Sequence, residues 1–298
     1  MTFGNNTVKK TLEPHCPLCE GTSVAFRYKD AALPIRWCSC GMVFLYPQPS
    51  DKQLREIYQS SYYLSWGIAG DDEEAPRAMK HHTFSRQLKT LARYVKPGKV
   101  LDVGCATGFF LDVASSAGWE VHGVELSEYA AEVARGRFGE HVFKGTLEQA
   151  GYPDESFDVV TLFDLLEHVP DPRLFLREVR RLLRPDGILL IVTPDITSLS
   201  ARIMGHRWSH FKREHLHYFS PETITHLLTE CGFALECREE AIKYLNFTYV
   251  VNQFRAYPHF IITPLCNVAD SLLPTRIKKW HVPIRCGEML ILARKCMK

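Results

Sequence analysis

The stretch V-L-D-V-G-C-A-T-G-F-F-L, from Val100 to Leu111, decides the fold of this chain. Its apolar beginning predicts a buried strand, and Gly104 and Gly108 predict a tight turn that leads into a helix. Glycine has no Cβ, so such a turn lets the backbone approach a small cofactor closely. A second strand, W-E-V-H-G-V-E-L, places Glu125 about 20 residues past the turn, where an acid reaches a ribose diol. The pattern therefore predicts a βα unit that binds a nucleoside-containing cofactor.

The composition excludes several classes of protein. The chain has 298 residues, enough for one large domain and a small one, and its formal net charge of +2 favours neither nucleic acid nor an acidic membrane. The sequence has neither an apolar run long enough to span a bilayer nor the apolar segment of a signal peptide. Ten cysteines in such a chain indicate reduced thiols and metal ligation rather than a disulfide scaffold. We expect a cytoplasmic protein.

The chain divides by composition into three parts. Residues 1–50 are turn-rich and cysteine-rich, and residues 51–97 predict a helical connector with an acidic, solvated loop at 71–77. Residues 98–298 alternate strands and helices, which is the signature of a parallel α/β sheet. The seven candidate strands are K-V-L-D-V, W-E-V-H-G-V-E-L, H-V-F-K-G, F-D-V-V-T-L-F, G-I-L-L-I-V-T, F-A-L-E-C-R-E and G-E-M-L-I-L-A-R-K.

The clearest helical periodicity follows Pro172. Apolar side chains at spacings i, i+1, i+4, i+7 and i+8 indicate one buried face. Arginines occupy the opposite side, which is typical of a solvated basic face, with phosphate binding as the less favoured alternative. The apolar positions are Phe175, Leu176, Val179, Leu182 and Leu183, and the basic ones are Arg173, Arg177, Arg180, Arg181 and Arg184.

The turn favours a sulfonium cofactor over a pyrophosphate. Ala106 takes the middle glycine position of the dinucleotide pattern G-x-G-x-x-G, and Phe109 and Phe110 stand near the last, so an NAD-dependent oxidoreductase is disfavoured. Asp102 repels phosphate but suits an ammonium group, and aromatic rings attract cations. Alanine at position 106 is harmless if its φ is negative.

Four segments, in order and with matching spacing, resemble the motifs of class I S-adenosylmethionine-dependent methyltransferases. They are V-L-D-V-G-C-A-T-G, V-E-L-S, S-F-D-V-V-T-L-F-D-L-L-E-H-V-P-D-P and L-L-R-P-D-G-I-L-L-I-V-T-P-D. The resemblance implies a Rossmann-like, doubly wound α/β sheet of seven strands with an antiparallel last strand. It also implies cofactor contacts. The turn residues Asp102, Gly104, Cys105 and Gly108 would hold the methionine part, Glu125 the ribose, Leu126, Thr146 and Leu147 the adenine, and Asp164 would face cofactor and substrate.

Two cysteine pairs near the N-terminus predict a metal site. Cys16 and Cys19 are spaced like a zinc knuckle, whereas only one residue separates Cys38 from Cys40, and His15 is an alternative ligand. A segment this short cannot bury a core, so a metal is needed for it to fold. The segment resembles the N-terminal zinc ribbon of a bacterial subgroup of these methyltransferases, and four thiolates leave no open position, so we expect structural zinc.

Histidines after the strand G-I-L-L-I-V-T mark the expected acceptor region, at 204–222. The segment E-H-L-H-Y-F-S-P-E resembles one that lies over the acceptor pocket in the family. Histidine titrates near neutrality, so His217, His215 and His168 are the candidates for a catalytic base. The alternative for each is a buried, hydrogen-bonded histidine, and a second metal at this cluster has no recognised spacing.

The predicted function is methyl transfer from S-adenosylmethionine to a small, sugar-, nucleotide- or lipid-linked metabolite, not to nucleic acid. The aromatic segment 241–286 is expected to be a lid or an interface of a homodimer, with a membrane surface less favoured. The alternative function is a zinc-ribbon adaptor that binds a macromolecule and carries a degenerate cofactor fold. The acceptor and its methylated atom (oxygen, nitrogen or carbon) stay open.

Overall fold

A computed structural model describes residues 14–22, 24–26, 33–50, 53–54, 74–256 and 262–297. Two β-sheets organise this part of the chain. The strands are β1 (Val24–Phe26), β2 (Ile35–Cys38), β3 (Val43–Leu45), β4 (Lys99–Val103), β5 (Glu120–Glu125), β6 (Val142–Lys144), β7 (Phe157–Phe163), β8 (Leu183–Pro194), β9 (His217–Tyr218), β10 (Phe233–Leu245) and β11 (Val282–Lys295). The helices are α1 (Glu74–Leu91), α2 (Phe109–Ser116), α3 (Glu128–Phe138), α4 (Pro172–Leu182), α5 (Leu199–Met204), α6 (Pro221–Glu230), α7 (Phe247–Ala256), α8 (Ile262–Leu272) and α9 (Thr275–Lys278).

The larger sheet has seven strands in the order β10-β11-β8-β7-β4-β5-β6. Strands β4 to β8 pair in parallel, whereas β11 lies antiparallel between β8 and β10. Each of the seven predicted strands has a counterpart here. The predicted α/β class with an antiparallel last strand is confirmed.

Apolar side chains cover both faces of the central strands. Successive residues of a strand point to opposite faces. Accordingly Leu101 and Val160 belong to one buried cluster, while Val100 and Val159 belong to another on the opposite side. A strand buried on both faces reads as a continuous apolar run, which is why the sequence signal was clear.

The smaller sheet combines two distant parts of the chain. Its order is β1-β2-β3-β9, so three strands come from the cysteine-rich segment and the fourth from residues 217–218. Phe44 pairs with His217, and the amide of Leu45 donates to the carbonyl of Leu216 at 2.9 Å. The cysteine-rich segment is therefore completed by the predicted acceptor loop.

Helix α4 begins where the sequence predicts. Asp171 caps it by accepting from the amide of Leu174 at 2.9 Å, and proline occupies the first turn. The predicted apolar face is buried, except that Phe175 is only partly covered. The predicted solvated basic face is present at Arg177 and Arg184, which are exposed, whereas Arg173 and Arg181 are partly buried. Arg173 donates to the Leu18 carbonyl at 2.6 Å and Arg181 to the Tyr152 carbonyl at 2.9 Å. These hydrogen bonds attach α4 to neighbouring segments.

The helix observed within residues 51–97, α1, begins and ends at positions that differ from the predicted ones. The predicted acidic loop at 71–77 is wrong for residues 74–77, which lie in the first turn of α1, and residues 71–73 lie outside the described part. The helix ends at Leu91, before the predicted stretch does. Between residues 51 and 73 of the predicted connector, the structure describes only residues 53 and 54. Across the described ranges, we find no helix with the length and apolarity that crossing a membrane requires.

Candidate functional site

The turn after β4 lies at the carboxyl edge of the parallel strands. Gly104 has a φ of 75° and Gly108 a φ of 82°, so both occupy the left-handed region that glycine tolerates best. The amides of Gly104 and Cys105 donate to the carbonyl of Val124, at 2.8 and 3.1 Å. A Cβ at Gly104 would meet a Leu165 methyl at 3.2 Å. The turn is thus held close to the ends of both β5 and β7.

Ala106 in this turn has a φ of 46°. The condition under which alanine is harmless here, a negative φ, is therefore not met. A left-handed conformation costs a non-glycine residue about 1–2 kcal/mol. The Ala106 amide donates to Glu125 Oε2 at 2.9 Å, so this bond offsets part of the strain.

Two of the predicted cofactor acids lie side by side at the strand ends. Glu125 Oε1 also accepts from the amide of Ser127 at 2.7 Å, so its carboxylate joins the turn to the end of β5. Asp102 is buried and accepts from Thr161 Oγ1 at 2.7 Å. Burial, together with the nearby charge of Glu125, raises the pKa of Asp102 to about 8. A cation bound here would favour the ionised carboxylate.

The residues assigned to adenine occupy different environments. Leu126 is 58% exposed, so its side chain is free to cover a flat ring. Leu147 is buried in the core, and Thr146 Oγ1 accepts from the amide of Gln149 at 3.4 Å. Cys105 is also buried and packs against Gly123, so only its backbone faces the turn.

Asp164 follows β7 and joins an ion network in which only Glu288 is fully buried. Lys243 Nζ donates to Asp164 Oδ2 at 2.9 Å and to Glu288 Oε1 at 2.6 Å. Burial alone would raise the pKa of Asp164, but the charges of Lys243 and Lys80 outweigh it and lower the pKa below its ordinary value. Asp164 Oδ1 has no hydrogen-bond partner among the described residues. The sequence missed Lys243 because its role depends on the pairing of β10 with β11.

A cavity beside Asp164 lies between α1 and the end of β10. Its walls include the apolar side chains Phe84 and Phe163, with Lys80 and Gln87 among the polar ones. Gln87 Oε1 is buried and, within the described part of the chain, lacks a partner. A ligand with a hydrogen-bond donor would satisfy it. Nothing in the sequence pattern of α1 pointed to this cavity.

His215 and His217 are buried and His168 is half-buried, and none of the three is among the described residues that line this cavity. His217 is 0% exposed in β9, and its Nε2 donates to the Pro170 carbonyl at 3.4 Å. His168 and His215 lie together, with ring centroids 4.6 Å apart. Burial lowers the pKa of His168 and of His217 to about 4, and lowers that of His215 well below its ordinary value. The burial of His215 and His217 agrees with the alternative interpretation of these residues as buried histidines, and a catalytic role for any of the three stays a prediction.

The four N-terminal cysteines converge. Cys16 and Cys40 have their sulfurs 3.5 Å apart, as do Cys19 and Cys38, and all four sulfurs lie within 4.8 Å of one another. A tetrahedron of thiolates around zinc has edges of about 3.8 Å, given Zn–S bonds of about 2.3 Å. Both members of the C-x-C pair take part. The cluster is compatible with structural zinc.

Comparison with known proteins assigns the family. A profile described as a methyltransferase domain matches residues 75–238, more than half of the chain. The chain belongs to this methyltransferase-domain family. The match covers α1 and the sheet from β4 into β10, so it includes the turn and both strand-end acids.

The curated relatives of this methyltransferase-family chain match it over part of their length. A ubiquinone biosynthesis O-methyltransferase of Actinobacillus pleuropneumoniae is 36% identical over 105 residues, 32% of this chain and 45% of that protein. The probable S-adenosylmethionine-dependent methyltransferase Rv3030 of Mycobacterium tuberculosis is 31% identical over 135 residues, 45% of this chain and 48% of that protein. The chain thus spans about half the length of the curated relatives it matches.

Solved structures share the fold. The 1,6-didemethyltoxoflavin-N1-methyltransferase of Burkholderia thailandensis, solved with S-adenosylhomocysteine, has a TM-score of 0.51 and 17% identity over 88% of this chain and 99% of that one. The [4+2]-cyclase SpnF has a TM-score of 0.51 and 18% identity over 85% of this chain and 99% of that one. Because the fold also occurs in a cyclase, the reaction has to be argued from the site.

Proposed function

We propose that this chain transfers a methyl group from S-adenosylmethionine to a small-molecule acceptor. The observation that carries the proposal is the turn from Gly104 to Gly108, held against Glu125 and Asp102 at the carboxyl edge of the sheet. Ligands of open α/β sheets bind at this edge. Family membership and the cofactor product named in the Burkholderia structure support the same cofactor.

In this proposal the turn and the acids divide the cofactor between them. Gly104, Cys105 and Gly108 offer backbone to the methionine part, and the buried charge of Asp102 favours its cationic groups. Glu125 binds the ribose hydroxyls, and exposed Leu126 covers adenine. Thr146 takes the adenine edge, and buried Leu147 supports it from below.

We propose that the acceptor occupies the cavity beside Asp164. Methyl transfer is an in-line displacement, so the protein mainly aligns the acceptor and excludes water. The three candidate histidines do not line that cavity, so we assign the role of the base to Asp164 instead. Its Oδ1, which has no hydrogen-bond partner among the described residues, can take the proton of a hydroxyl or amine. The name of the Actinobacillus relative favours an oxygen acceptor. The acceptor is a metabolite, free or linked to a sugar, nucleotide or lipid.

We further propose the domain boundaries that the sequence suggests. Residues 1–50 form a zinc ribbon with Cys16, Cys19, Cys38 and Cys40 as ligands, residues 51–97 connect, and residues 98–298 form the catalytic domain. The ribbon zinc has a structural role, because four thiolates leave no open position for a substrate.

A labelling experiment tests this function. The full chain is incubated with S-adenosylmethionine carrying an isotopically labelled methyl group and with a small-molecule extract, and products are identified by mass spectrometry. We expect a labelled small molecule, formed about 10²–10⁴-fold more slowly by Asp164→Asn, as is typical when a general base is lost. Glu240→Gln, an exposed change on β10, is the matched control. Labelled nucleic acid, or no labelled product alongside no cofactor binding, would overturn the proposal.

A further inference from the structure

A second group of metal-type ligands lies beyond the cysteine cluster. The donor atoms of Glu167, His168 and His215 lie within 4.8 Å of one another. Glu167 and His168 belong to a short 3-10 turn that follows β7, and His215 lies in the loop before β9. Among the described residues, this trio and the four cysteines are the two groups with such geometry. Neither cofactor binding nor the cavity beside Asp164 uses the trio.

The backbone holds the two segments of this trio together. The amide of Leu216 donates to the carbonyl of Glu167 at 2.8 Å, and His168 Nδ1 lies 3.0 Å from the carbonyl of Glu214. A carbonyl oxygen only accepts, so His168 Nδ1 carries the proton and donates. Ligating histidines typically donate one ring N–H to a carbonyl in this way, which fixes the orientation of the other nitrogen.

Two side-chain polar atoms of the trio are buried without hydrogen-bond partners among the described residues. Glu167 is 1% exposed and His215 is 5% exposed. Glu167 Oε2 accepts from Thr193 Oγ1 at 2.9 Å, whereas Glu167 Oε1 and His215 Nδ1 have no hydrogen-bond partner in the described part of the chain. An unsatisfied buried polar atom costs about 1–3 kcal/mol, and two in one cluster point to a missing positive partner.

We propose that Glu167, His168 and His215 bind a divalent transition-metal ion. Two imidazoles and one carboxylate suit a first-row ion such as Zn²⁺, Fe²⁺ or Co²⁺, whereas Mg²⁺ and Ca²⁺ prefer shells of oxygen alone. Three protein ligands leave at least one position open, as in sites that bind water or substrate. The ion also fastens the end of β7 to the loop that carries β9. This inference stands on the trio alone and does not depend on methyl transfer.

Metal stoichiometry tests the proposal. The zinc-loaded full chain is dialysed to equilibrium against a buffer containing Co²⁺, and the total Zn plus Co per chain is measured by elemental analysis. We expect two equivalents, the second without the thiolate-to-cobalt charge-transfer absorption of a cysteine site. In Glu167→Gln and His215→Gln we expect one equivalent, with affinity for the second ion at least about 100-fold weaker, since loss of even an outer partner costs about 10–100-fold.

Controls separate this site from the ribbon and from misfolding. His226→Gln removes an exposed histidine on α6 and should keep two equivalents. Unchanged binding of S-adenosylhomocysteine or an unchanged melting curve identifies variants that still fold. If His215→Gln fails to fold, the nearly isosteric Glu167→Gln carries the test. One equivalent in the native chain, or a second equivalent that survives in a folded Glu167→Gln variant, would overturn the proposal.

Discussion

The two sheets of this molecule are stabilised by different means. The seven-stranded sheet is sandwiched between two apolar clusters, and its central strands are buried on both faces. The four-stranded sheet has three short strands, a cluster of four cysteines and a fourth strand, β9, from more than 150 residues further along the chain. Its buried residues Leu18 and Phe44 join the apolar cluster of the larger sheet.

Local sequence is sufficient to specify the larger sheet but not the smaller one. A buried parallel sheet can form from its own apolar runs. The small sheet is completed by a distant strand and by the core of its neighbour, and its cysteine cluster is compatible with a structural metal. Because β9 begins two residues after His215, loss of order in the small sheet should also affect the loop beside Glu167. The turn at Gly104 belongs wholly to the larger sheet and should be nearly independent of it.

Removal of zinc should produce the largest difference in stability between the two sheets. Chelation, or Cys38→Ser, removes binding free energy that reaches about 10–16 kcal/mol in structural zinc sites. We expect fast hydrogen exchange in β2, β3 and β9, with slow exchange retained in β4 and β7. Cys266→Ser, a change on α8 outside the cluster, should alter neither region. Equal loss of protection in β4 and β9 would show that the sheets do not differ in this way.

A core substitution at the junction should affect both sheets. Phe44 is buried on β3 and packs in the cluster that also contains Ile224 and Phe219. We expect Phe44→Ala to lower the free energy of unfolding by about 3–5 kcal/mol, as large-to-small changes at buried aromatic residues do. Thermal unfolding measures the loss. Trp37→Ala, on the exposed face of β2, should cost far less, and equal losses would contradict a shared core.

The pH dependence of the free energy of unfolding should reflect the buried Asp102 of the larger sheet. The folded pKa of Asp102 is about 8, above the ordinary value of 3.8, so its contribution is fully present below pH 3.8 and is lost as the pH rises through about 8. Glu167, with a folded pKa of about 8, has the same sign. The buried histidines with a pKa of about 4 act oppositely, but only up to about pH 6.5.

Between about pH 6.5 and 8.5 we therefore expect the melting temperature of the native chain to fall more than that of Asp102→Asn, both without cofactor. Glu128→Gln, at an exposed residue of α3, should follow the native curve. Parallel curves for native chain and Asp102→Asn would mean that Asp102 is ionised throughout.

The smallest expected effect is at Ala106. Glycine would relieve about 1–2 kcal/mol of left-handed strain and add about 0.5–1 kcal/mol of unfolded-state entropy. Ala106→Gly should therefore raise the melting temperature slightly, by about 1–3 °C for a chain of this size. Ala78→Gly, in the second turn of α1, should lower it instead. A decrease in both variants would place Ala106 outside the strained region.

The sequence predicted the larger sheet because its signals are local. The apolar runs, the glycine turn and the capped start of α4 each lie within a few residues, and their positions agree with the structure. The small sheet depends on pairing between Phe44 and His217, which no local pattern encodes, so His217 was assigned to catalysis. Lys243 and the cavity beside Asp164 also arise from contacts between distant elements. The cysteines are the exception, because two closely spaced pairs predict a shared metal site although the pairs lie apart in the sequence.

Binding of S-adenosylhomocysteine to the zinc-loaded full chain, measured by calorimetry, tests the central claim most directly. We expect one molecule bound per chain, with affinity reduced by one to a few kcal/mol in Glu125→Ala, the range for lost hydrogen bonds to charged groups. Glu128→Ala, only three residues away and exposed, should leave the affinity unchanged. No measurable binding to the folded, zinc-loaded chain, or equal losses in the two variants, would contradict a methyl-donor site at the Gly104 turn.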